Sequence, residues 1–291
     1  MAIPPPPPVP HCYRHPDREG GRNCTRCGRP ACGDCLVQAT VGSHCVDCAR
    51  AARPDLRTRA RLANSRVLTP ATLALVGINV AVFAVMTLAD PATLGGEVTR
   101  LHRALGLNKL VLQFGWPIAP DEIYGAHEWY RLLTAGFIHF GPFHLLMNMF
   151  LLYQLGQILE RAVGSMQLVL MHLAGLFAGS LGVLLIDVDA IAGGASGAVF
   201  GLMAGAAVGM QRRGVNVFST GIGTTLLLNL LLTFTIPGIS VGGHVGGAIG
   251  GALCGWVMLA PPWRASAAWT RWAAPVGVIA VAVAASVVVV G

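Results

Sequence analysis

Seven runs of apolar residues constrain the fold of this chain more than any other feature of its sequence. Crossing about 30 Å of hydrocarbon takes about 20 predominantly apolar residues in a helix. The run at 222–241 is interrupted by Thr and Asn side chains, and Pro237 with Gly238 should end it early. The seven runs are 67–89, 142–160, 166–186, 194–211, 222–241, 242–260 and 273–290. We therefore predict an all-α membrane protein.

The composition excludes a water-soluble globular domain. Of 291 residues, 54% are hydrophobic and only 11% are charged, whereas about a quarter are charged in average soluble proteins. The mean hydropathy of +0.62 would require a core larger than a chain of this length can enclose, so the lipid bilayer must solvate much of the surface. Most of the net charge of +7 lies in residues 1–66, and we do not expect nucleic acid as a partner.

Positive charge beside the first apolar run predicts the orientation of the chain. Cytoplasmic ends of membrane spans carry an excess of Lys and Arg. Six arginines precede the first run: Arg50, Arg53, Arg57, Arg59, Arg61 and Arg66. No secretory signal peptide is visible before Val67. We predict a multi-pass integral membrane protein with a cytoplasmic N-terminus, located in the plasma membrane if the source is bacterial.

Polar side chains gather near the outer ends of the second, fourth and sixth runs in this topology. They include Asn148, Ser196 and His244, and polar groups inside a membrane usually face a cavity or a partner because their burial in lipid is costly. Stripes of small residues let helices approach closely in lipid. Glycines recur every fourth residue at 197, 201, 205 and 209, and at 243, 247, 251 and 255. We therefore expect Ser196 and His244 to lie within hydrogen-bonding distance.

A serine and a histidine placed in this way form a nucleophile and its general base. We predict that Ser196 attacks a carbonyl carbon and that His244 removes its proton. No carboxylate is available as a third member, since Glu160 is at the inner end of its run and the nearest aspartates belong to a loop. A Ser–His dyad is expected, with the ring of Phe200 packing on the imidazole.

Acyl transfer also needs hydrogen-bond donors for the oxyanion. His144 and Asn148 are spaced i, i+4 and project from one helix face, so we predict them as donors together with the backbone N–H of Ser196. His139 is expected to support the local turn. His172, alone in the third run, is interpreted as a structural residue.

These motifs resemble those of the rhomboid intramembrane serine proteases. The resemblance covers about residues 67–261 and extends through Trp129-Tyr130-Arg131 and Glu160. It rests on His139-x4-His144-x3-Asn148, on Gly194-Ala195-Ser196-Gly197, and on Gly243-His244-x2-Gly247-x3-Gly251. Phe200 stands where the family often has Tyr.

The resemblance implies a fold, a substrate class and a mechanism. The fold is a six-helix bundle, and the additional helix is similar to the "six plus one" arrangement of some members. Substrates would be transmembrane proteins with a single span, cut at small residues near the outer membrane face. The resemblance also implies the roles of Ser196, His244, His144 and Asn148 given above, and no cofactor for catalysis.

Four pairs of potential metal ligands precede the apolar runs. About forty residues with few large apolar side chains need a staple, and cytoplasmic thiols stay reduced, which argues against disulfides. The pairs are Cys12-x2-His15, Cys24-x2-Cys27, Cys32-x2-Cys35 and Cys45-x2-Cys48. Their spacing predicts two structural zinc ions in tetrahedral sites. Because full coordination leaves no open metal position, we predict an interaction or regulatory domain with a cytoplasmic protein partner.

The spacing of these pairs resembles a B-box zinc finger. This resemblance implies that pairs one and three bind one ion and that pairs two and four bind the other. The gap before the last pair is longer than usual, and His44 is an alternative ligand to Cys45.

The sequence thus divides into five segments and leaves two other functions open. A metalloprotease could use His139, His144 and His244, although no HExxH motif is present. A non-catalytic scaffold of rhomboid shape could bind transmembrane helices without cutting them. The segments are a disordered proline-rich tail (1–10), a B-box-like zinc-binding domain (11–50), a basic linker (51–66), a rhomboid protease core (67–261) and an additional C-terminal transmembrane helix (262–291).

Overall fold

The chain divides into two compact units, Met1–Leu68 and Thr69–Gly291, in the computed structural model. Most of the predicted proline-rich tail and nearly all of the predicted basic linker lie outside the described residues. The structure describes residues 9–39, 42–51, 69–115, 124–187, 189–261 and 267–291.

Short antiparallel hairpins and one helical turn and a half build the N-terminal unit. Strand β1 (Arg22–Asn23) pairs with β2 (Pro30–Ala31), and β3 (Leu36–Gln38) pairs with β4 (Ser43–Cys45), which leads into α1 (Val46–Ala51). The buried cluster of this unit consists of three cysteines and Ala31, with two larger side chains partly covering it. So small an apolar core supplies little stabilisation, as expected for a domain that needs a staple.

Helices make up most of the described part of the second unit. Prolines at the first positions of two of its long helices suit the N-terminal turn, where the missing N–H would have no intrahelical acceptor. In chain order the helices are α2 (Pro70–Ala89), α3 (Arg100–Leu105), α4 (Lys109–Phe114), α5 (Arg131–Thr134), α6 (Pro142–Val163), α7 (Ser165–Ile186), α8 (Ser196–Arg212), α9 (Ile222–Thr235), α10 (Val241–Met258) and α11 (Thr270–Val290).

Each of the seven predicted apolar runs overlaps one of the longer helices along most of its length. Among the described residues, four helices are long and apolar enough to cross a membrane, namely α2, α7, α10 and α11. A pair bent by 95°, Arg131–Phe137 followed by α6, raises the number to five. Helix α8 has 17 residues and α9 has 14, which is shorter than the roughly 20 residues that a straight span requires.

Arg131 holds together the segment between α2 and α6. Its side chain is fully buried and donates to the carbonyl oxygens of Arg103, at 2.6 Å, and Gly106, at 2.8 Å. Its charge is paired with Glu128, whose carboxylate accepts from the Arg131 Nε at 2.8 Å. The carbonyls at the C-terminal end of α3 thereby gain donors that the helix itself cannot supply.

Glu160 fastens the start of α2 to the end of α6. Its carboxylate accepts from the backbone N–H groups of Ala71 and Thr72, at 3.0 and 2.8 Å. The hydroxyls of Thr72 and Ser165 donate to the same carboxylate, each at 2.6 Å. A carboxylate at a helix N-terminus satisfies donors that have no partner within the helix and complements the helix dipole.

Helix α10 packs backbone to backbone against both α7 and α8. A Cβ added to Gly251 would overlap main-chain atoms of Gly201, and one added to Gly246 would overlap the carbonyl oxygen of Ala178. These contacts exist only because neither helix has side chains there. The expected approach of the helices carrying Ser196 and His244 is therefore present, and α7 takes part in it through a third row of small residues.

Candidate active site and metal sites

Ser196 is the first residue of α8 and lies two residues after a glycine that no other residue could easily replace. Gly194 has φ 127, in the left-handed region that favours glycine, and its N–H donates to the carbonyl oxygen of Ala135 at 2.8 Å. The backbone N–H of Ser196 lies in the first turn of α8, where a helix has no internal acceptor. Both this N–H and the positive end of the helix dipole suit a developing negative charge beside the hydroxyl.

His244 lies in the first turn of α10, with its imidazole against α8. The ring is 8% exposed and stacks on Phe200, with the ring centroids 4.1 Å apart and an interplanar angle of 17°. Among the described residues, no hydrogen bond joins the Ser196 hydroxyl to the His244 ring in this conformation. Catalytic hydrogen bonds are often long in unliganded enzymes and tighten when substrate binds.

A threonine that sequence analysis did not predict contacts the Nδ1 edge of this imidazole. Thr233 is 2% exposed on α9, and its hydroxyl oxygen lies 2.7 Å from Nδ1 of His244. The polar side chains that interrupt the run at 222–241 could have indicated this contact, because a buried hydroxyl in the membrane needs a hydrogen-bond partner.

His144 and Asn148 line α6 next to the start of α8. The Phe140 N–H donates to Nδ1 of His144 at 3.4 Å, which leaves the proton on Nε2. A Cβ added to Gly194 would lie 2.9 Å from this Nε2 and 3.7 Å from the Ser196 hydroxyl oxygen. The imidazole donor and the serine therefore border the same small volume. The Asn148 amide donates one proton to the His144 carbonyl oxygen at 3.0 Å and carries a second one.

His139 is fully buried beneath this cluster. Its Nε2 accepts from the Ala195 N–H at 3.5 Å, and its carbonyl oxygen lies 3.0 Å from Nε2 of His102. Its ring meets that of His144 edge to face, with the centroids 5.1 Å apart. His139 thus touches the loop that leads into Ser196. His172 is buried within α7, and among the described residues neither of its ring nitrogens has a hydrogen-bond partner.

Asp187 anchors the helix that carries His244, although in sequence it belongs only to a connecting loop. Its carboxylate accepts from the Ser240 hydroxyl at 2.6 Å and from the Gly242 N–H at 3.0 Å. Ser240 in turn caps α10 by accepting from the Gly243 N–H at 2.9 Å. This carboxylate therefore acts on the helix N-terminus two residues before His244 and not on the imidazole.

A recess beside the serine offers space for a small side chain. It encloses about 390 Å³, including the part open to its surroundings. Small residues make up most of the lining, which also includes three larger apolar residues. The lining includes Gly136, Gly179, Ser180, Gly193, Gly194, Ser196, Gly197, Ala198 and Gly243, with Leu107, Leu176 and Val183.

Two sets of metal-binding side chains occupy the N-terminal unit. In each set the four ligand atoms lie within 4.8 Å of one another. The sets interleave along the chain in the order implied by the B-box resemblance, and Cys45, not His44, joins the second. The first set is Cys12, His15, Cys32 and Cys35, and the second is Cys24, Cys27, Cys45 and Cys48.

The distances within these sets suit a tetrahedral ion. Zinc–sulfur and zinc–nitrogen bonds of about 2.3 and 2.0 Å place tetrahedral ligands roughly 3.6–3.8 Å apart. The sulfurs of Cys27 and Cys45 are 3.8 Å apart, and Nδ1 of His15 lies 3.5 Å from the sulfur of Cys32 and 3.3 Å from that of Cys35. The Cys45 N–H donates to the sulfur of Cys24 at 3.1 Å, as thiolate ligands require.

The thiols within each set differ in their pKa values. Burial acts to raise the pKa of Cys12 and Cys24, but main-chain donors outweigh it and lower each pKa to about 6. Burial and the neighbouring thiols raise the pKa of Cys35 to about 11, and hydrogen bonds with Cys45 and Cys27 raise that of Cys48 to about 12. A divalent cation would replace the thiol protons, and this donor set fits one.

Comparison with known proteins identifies one domain within the helical unit. A family model of the rhomboid domain matches residues 126–261. The chain carries a rhomboid domain. This rhomboid domain contains α5 to α10 and thus Ser196, His244, His144 and Asn148, whereas α2, α11 and the N-terminal unit lie outside it. Together with the apolar helices, the rhomboid domain makes the chain a multi-pass integral membrane protein.

Relatives of the rhomboid domain occur in plants, bacteria and animals. RHOMBOID-like protein 4 of Arabidopsis thaliana is 33% identical over 171 residues, 56% of this chain and 43% of that protein. Rhomboid protease GluP of Bacillus subtilis is 33% identical over 126 residues, 42% of this chain and 25% of that protein. Human Rhomboid-related protein 3 is 35% identical over 109 residues, 35% of this chain and 27% of that protein. The chain spans less than half the length of these relatives.

Proposed function

We propose that this protein is an intramembrane serine endopeptidase that works through a Ser196–His244 dyad. The observation that carries the proposal is the placement of Ser196 at the N-terminus of α8, next to a helix that presents a stacked imidazole across a glycine contact. Similarity to a relative named as a rhomboid protease supports the same reaction.

The proposed reaction proceeds in two halves. In the first, the Ser196 oxygen attacks the scissile carbonyl carbon while Nε2 of His244 takes the hydroxyl proton. The oxyanion receives hydrogen bonds from Nε2–H of His144, the Asn148 amide and the Ser196 N–H. His244 then returns the proton to the leaving amine as the C–N bond breaks. In the second half, His244 activates a water that hydrolyses the acyl-enzyme, which restores the serine.

We infer that the substrates are transmembrane proteins with a single span, cut at small residues near the outer membrane face. The small-residue lining of the recess beside Ser196 supports this preference, because a bulky side chain would meet Leu107, Leu176 or Val183. The arginines before the first apolar run favour a cytoplasmic N-terminus, and this orientation puts Ser196 at the outer end of α8.

We infer that the N-terminal unit binds two structural zinc ions and a cytoplasmic protein partner. Four protein ligands for each ion leave no open coordination position, so these ions would stabilise the fold and take no part in cleavage.

Reconstitution of the full chain in lipid vesicles tests the protease activity. The purified protein is incubated with a membrane-spanning substrate that carries small residues near one interface, and cleavage is followed by gel electrophoresis and mass spectrometry. We expect Ser196→Ala and His244→Ala to lower the rate by at least about 10⁴-fold. Ser219→Ala, which changes an exposed serine outside the site, should cleave normally.

Three results would contradict the dyad. Equal product from wild type, Ser196→Ala and His244→Ala would end the serine mechanism. Loss of cleavage on chelation without fluorophosphonate labelling would favour a metalloprotease. Capture of the substrate without any product from the wild type would indicate a scaffold.

A further inference from the structure

Thr233 makes two short contacts through a single hydroxyl. Its Oγ1 lies 2.7 Å from the carbonyl oxygen of Asn229, one turn earlier on α9, and 2.7 Å from Nδ1 of His244 on α10. Both Thr233 and His244 are buried, so water cannot substitute easily for either partner. The hydroxyl therefore links α9 directly to the imidazole.

Counting protons assigns the tautomer of His244. A carbonyl oxygen can only accept, so the one hydroxyl proton of Thr233 goes to Asn229. The hydroxyl oxygen can then only accept from the imidazole, which requires a proton on Nδ1. Neutral imidazole carries one proton, so Nε2 retains its lone pair. This is the form in which Nε2 can act as a general base toward a serine.

Ring stacking alone would not select this form. Phe200 fixes the plane of the imidazole, but a half-turn about the Cβ–Cγ bond leaves the plane unchanged and exchanges the Nδ1 edge for a carbon edge. A hydrogen bond to one ring nitrogen removes this ambiguity. In serine proteases with three catalytic residues a carboxylate does so, at the cost of a buried charge that lipid makes expensive.

We propose that Thr233 is a positioning residue that selects the Nδ1–H tautomer and the ring orientation of His244. This inference rests on the proposed protease function. The neutral hydroxyl of Thr233 takes the place of a carboxylate, so the imidazole is oriented without a second ionisable group in the membrane.

Three threonine variants of the full chain test the role. Thr233→Val keeps the shape and removes the oxygen, Thr233→Ser keeps the oxygen, and Thr235→Val is the matched control. Thr235 is exposed on the same helix and donates to the carbonyl oxygen of Leu231 as Thr233 donates to that of Asn229. The Thr235 control therefore measures the loss of a helix back-bond alone.

We expect Thr233→Val to lower kcat by about ten- to a hundredfold with KM unchanged, because general-base catalysis as a whole contributes about 10²–10⁴-fold. Thr233→Ser should restore kcat to within about threefold of wild type. Thr235→Val should match wild type. Fluorophosphonate labelling of Ser196 should slow in parallel with kcat, since it needs the same base but no transmembrane substrate.

Nitrogen-15 NMR of the full chain in detergent gives a readout that does not depend on cleavage. The His244 signals, identified by their loss in His244→Gln, should report mainly the Nδ1–H tautomer in wild type and in Thr233→Ser. Thr233→Val should show a mixture. Thermal unfolding of each variant shows whether it retains the fold.

Several outcomes would overturn the inference while leaving the protease function intact. One is wild-type kcat in Thr233→Val. Another is an equal loss of kcat in Thr233→Val and Thr233→Ser, accompanied by equal falls in unfolding temperature. An Nε2–H tautomer in wild type would also overturn it. Absence of cleavage and labelling in wild type itself would instead defeat the proposed function.

Discussion

Gly194 shows how a single residue joins the parts of the candidate site. Its positive φ allows the chain to turn into α8, and its missing side chain leaves room for the His144 ring on one side and the Ser196 hydroxyl on the other. Gly194 therefore meets two requirements, a positive φ and the absence of a side chain. Comparison with a glycine that has a positive φ but no neighbouring atoms separates the two effects.

We expect Gly194→Ala to lower kcat by about a hundredfold or more, because the new methyl group would displace His144 from its proposed oxyanion position. Gly214→Ala is the control: Gly214 has φ 76, and no atom lies within 4 Å of the position of its Cβ. Both substitutions should destabilise the fold by about 1–2 kcal/mol through backbone strain. Similar kcat values in the two variants would show that the Gly194 contact with His144 is immaterial.

At the scale of elements, the contact between α8 and α10 determines where the serine and the imidazole stand. Carbonyl oxygens of one helix lie against Cα atoms of the other over several turns. Gly201, Gly205, Gly247, Gly251 and Gly255 all take part. Lipid provides no hydrophobic drive for helix association, so close van der Waals packing carries this interface. A methyl group added to this interface should then shift the two helices and change the position of Ser196 relative to His244.

We expect Gly251→Ala to lower the unfolding temperature and the rate of fluorophosphonate labelling, because the added methyl overlaps main-chain atoms of Gly201 that cannot retreat. The cost should be about 1–3 kcal/mol of unfolding free energy, as for other overpacked contacts. Gly277→Ala on α11 meets no atom within 4 Å and should be neutral or slightly stabilising, since Ala favours helix. Normal labelling in Gly251→Ala would refute close packing at this level.

At the scale of the whole molecule, the protein combines a helical membrane unit with a small cysteine-rich unit. The cysteine-rich unit has only a minor apolar core, and two sets of four potential metal ligands take its place. Stability of this unit should therefore depend on metal, whereas the membrane unit should not. Because the two ligand sets interleave along the chain, we expect loss of one ion to loosen the loops that carry the ligands of the other.

We expect metal analysis of the purified full chain to find about two zinc ions per molecule. Cys45→Ser should release at least one of them, because the Cys45 sulfur belongs to the second ligand set. His44→Ala should retain both, although His44 precedes Cys45 directly, because its ring lies outside both sets. Two ions in Cys45→Ser together with a loss in His44→Ala would reverse the ligand assignment.

The sequence predicts what depends on local spacing. Glycines four residues apart indicate a helix face, and the contact of Phe200 with His244 follows once the two faces meet. The contacts of Thr233 and Asp187 with α10 cannot be predicted from spacing. Both depend on how another part of the chain, α9 or the end of α7, packs against α10. The small residues of α7, Gly175, Gly179 and Gly182, were also missed, since their spacing is uneven.

The bounds of α8 and α9 follow the sequence in different ways. Helix α8 (Ser196–Arg212) nearly coincides with its predicted run at 194–211. The run at 222–241 continues past α9, but Pro237 with Gly238 predicted an early end, and the helix ends at Thr235. The termini are decided by turns, such as the one that ends α9 before Pro237, more than by hydropathy.

The glycine contact between α8 and α10 also limits how this protein can vary. Glycine has no side chain to shorten, so every substitution in this contact adds atoms and none can relieve crowding introduced elsewhere. Side chains that face lipid can change without affecting the contact. The distance between the Ser196 hydroxyl and the His244 imidazole is thus determined by the packing of the two main chains. It should be retained in variants whose lipid-facing residues differ widely.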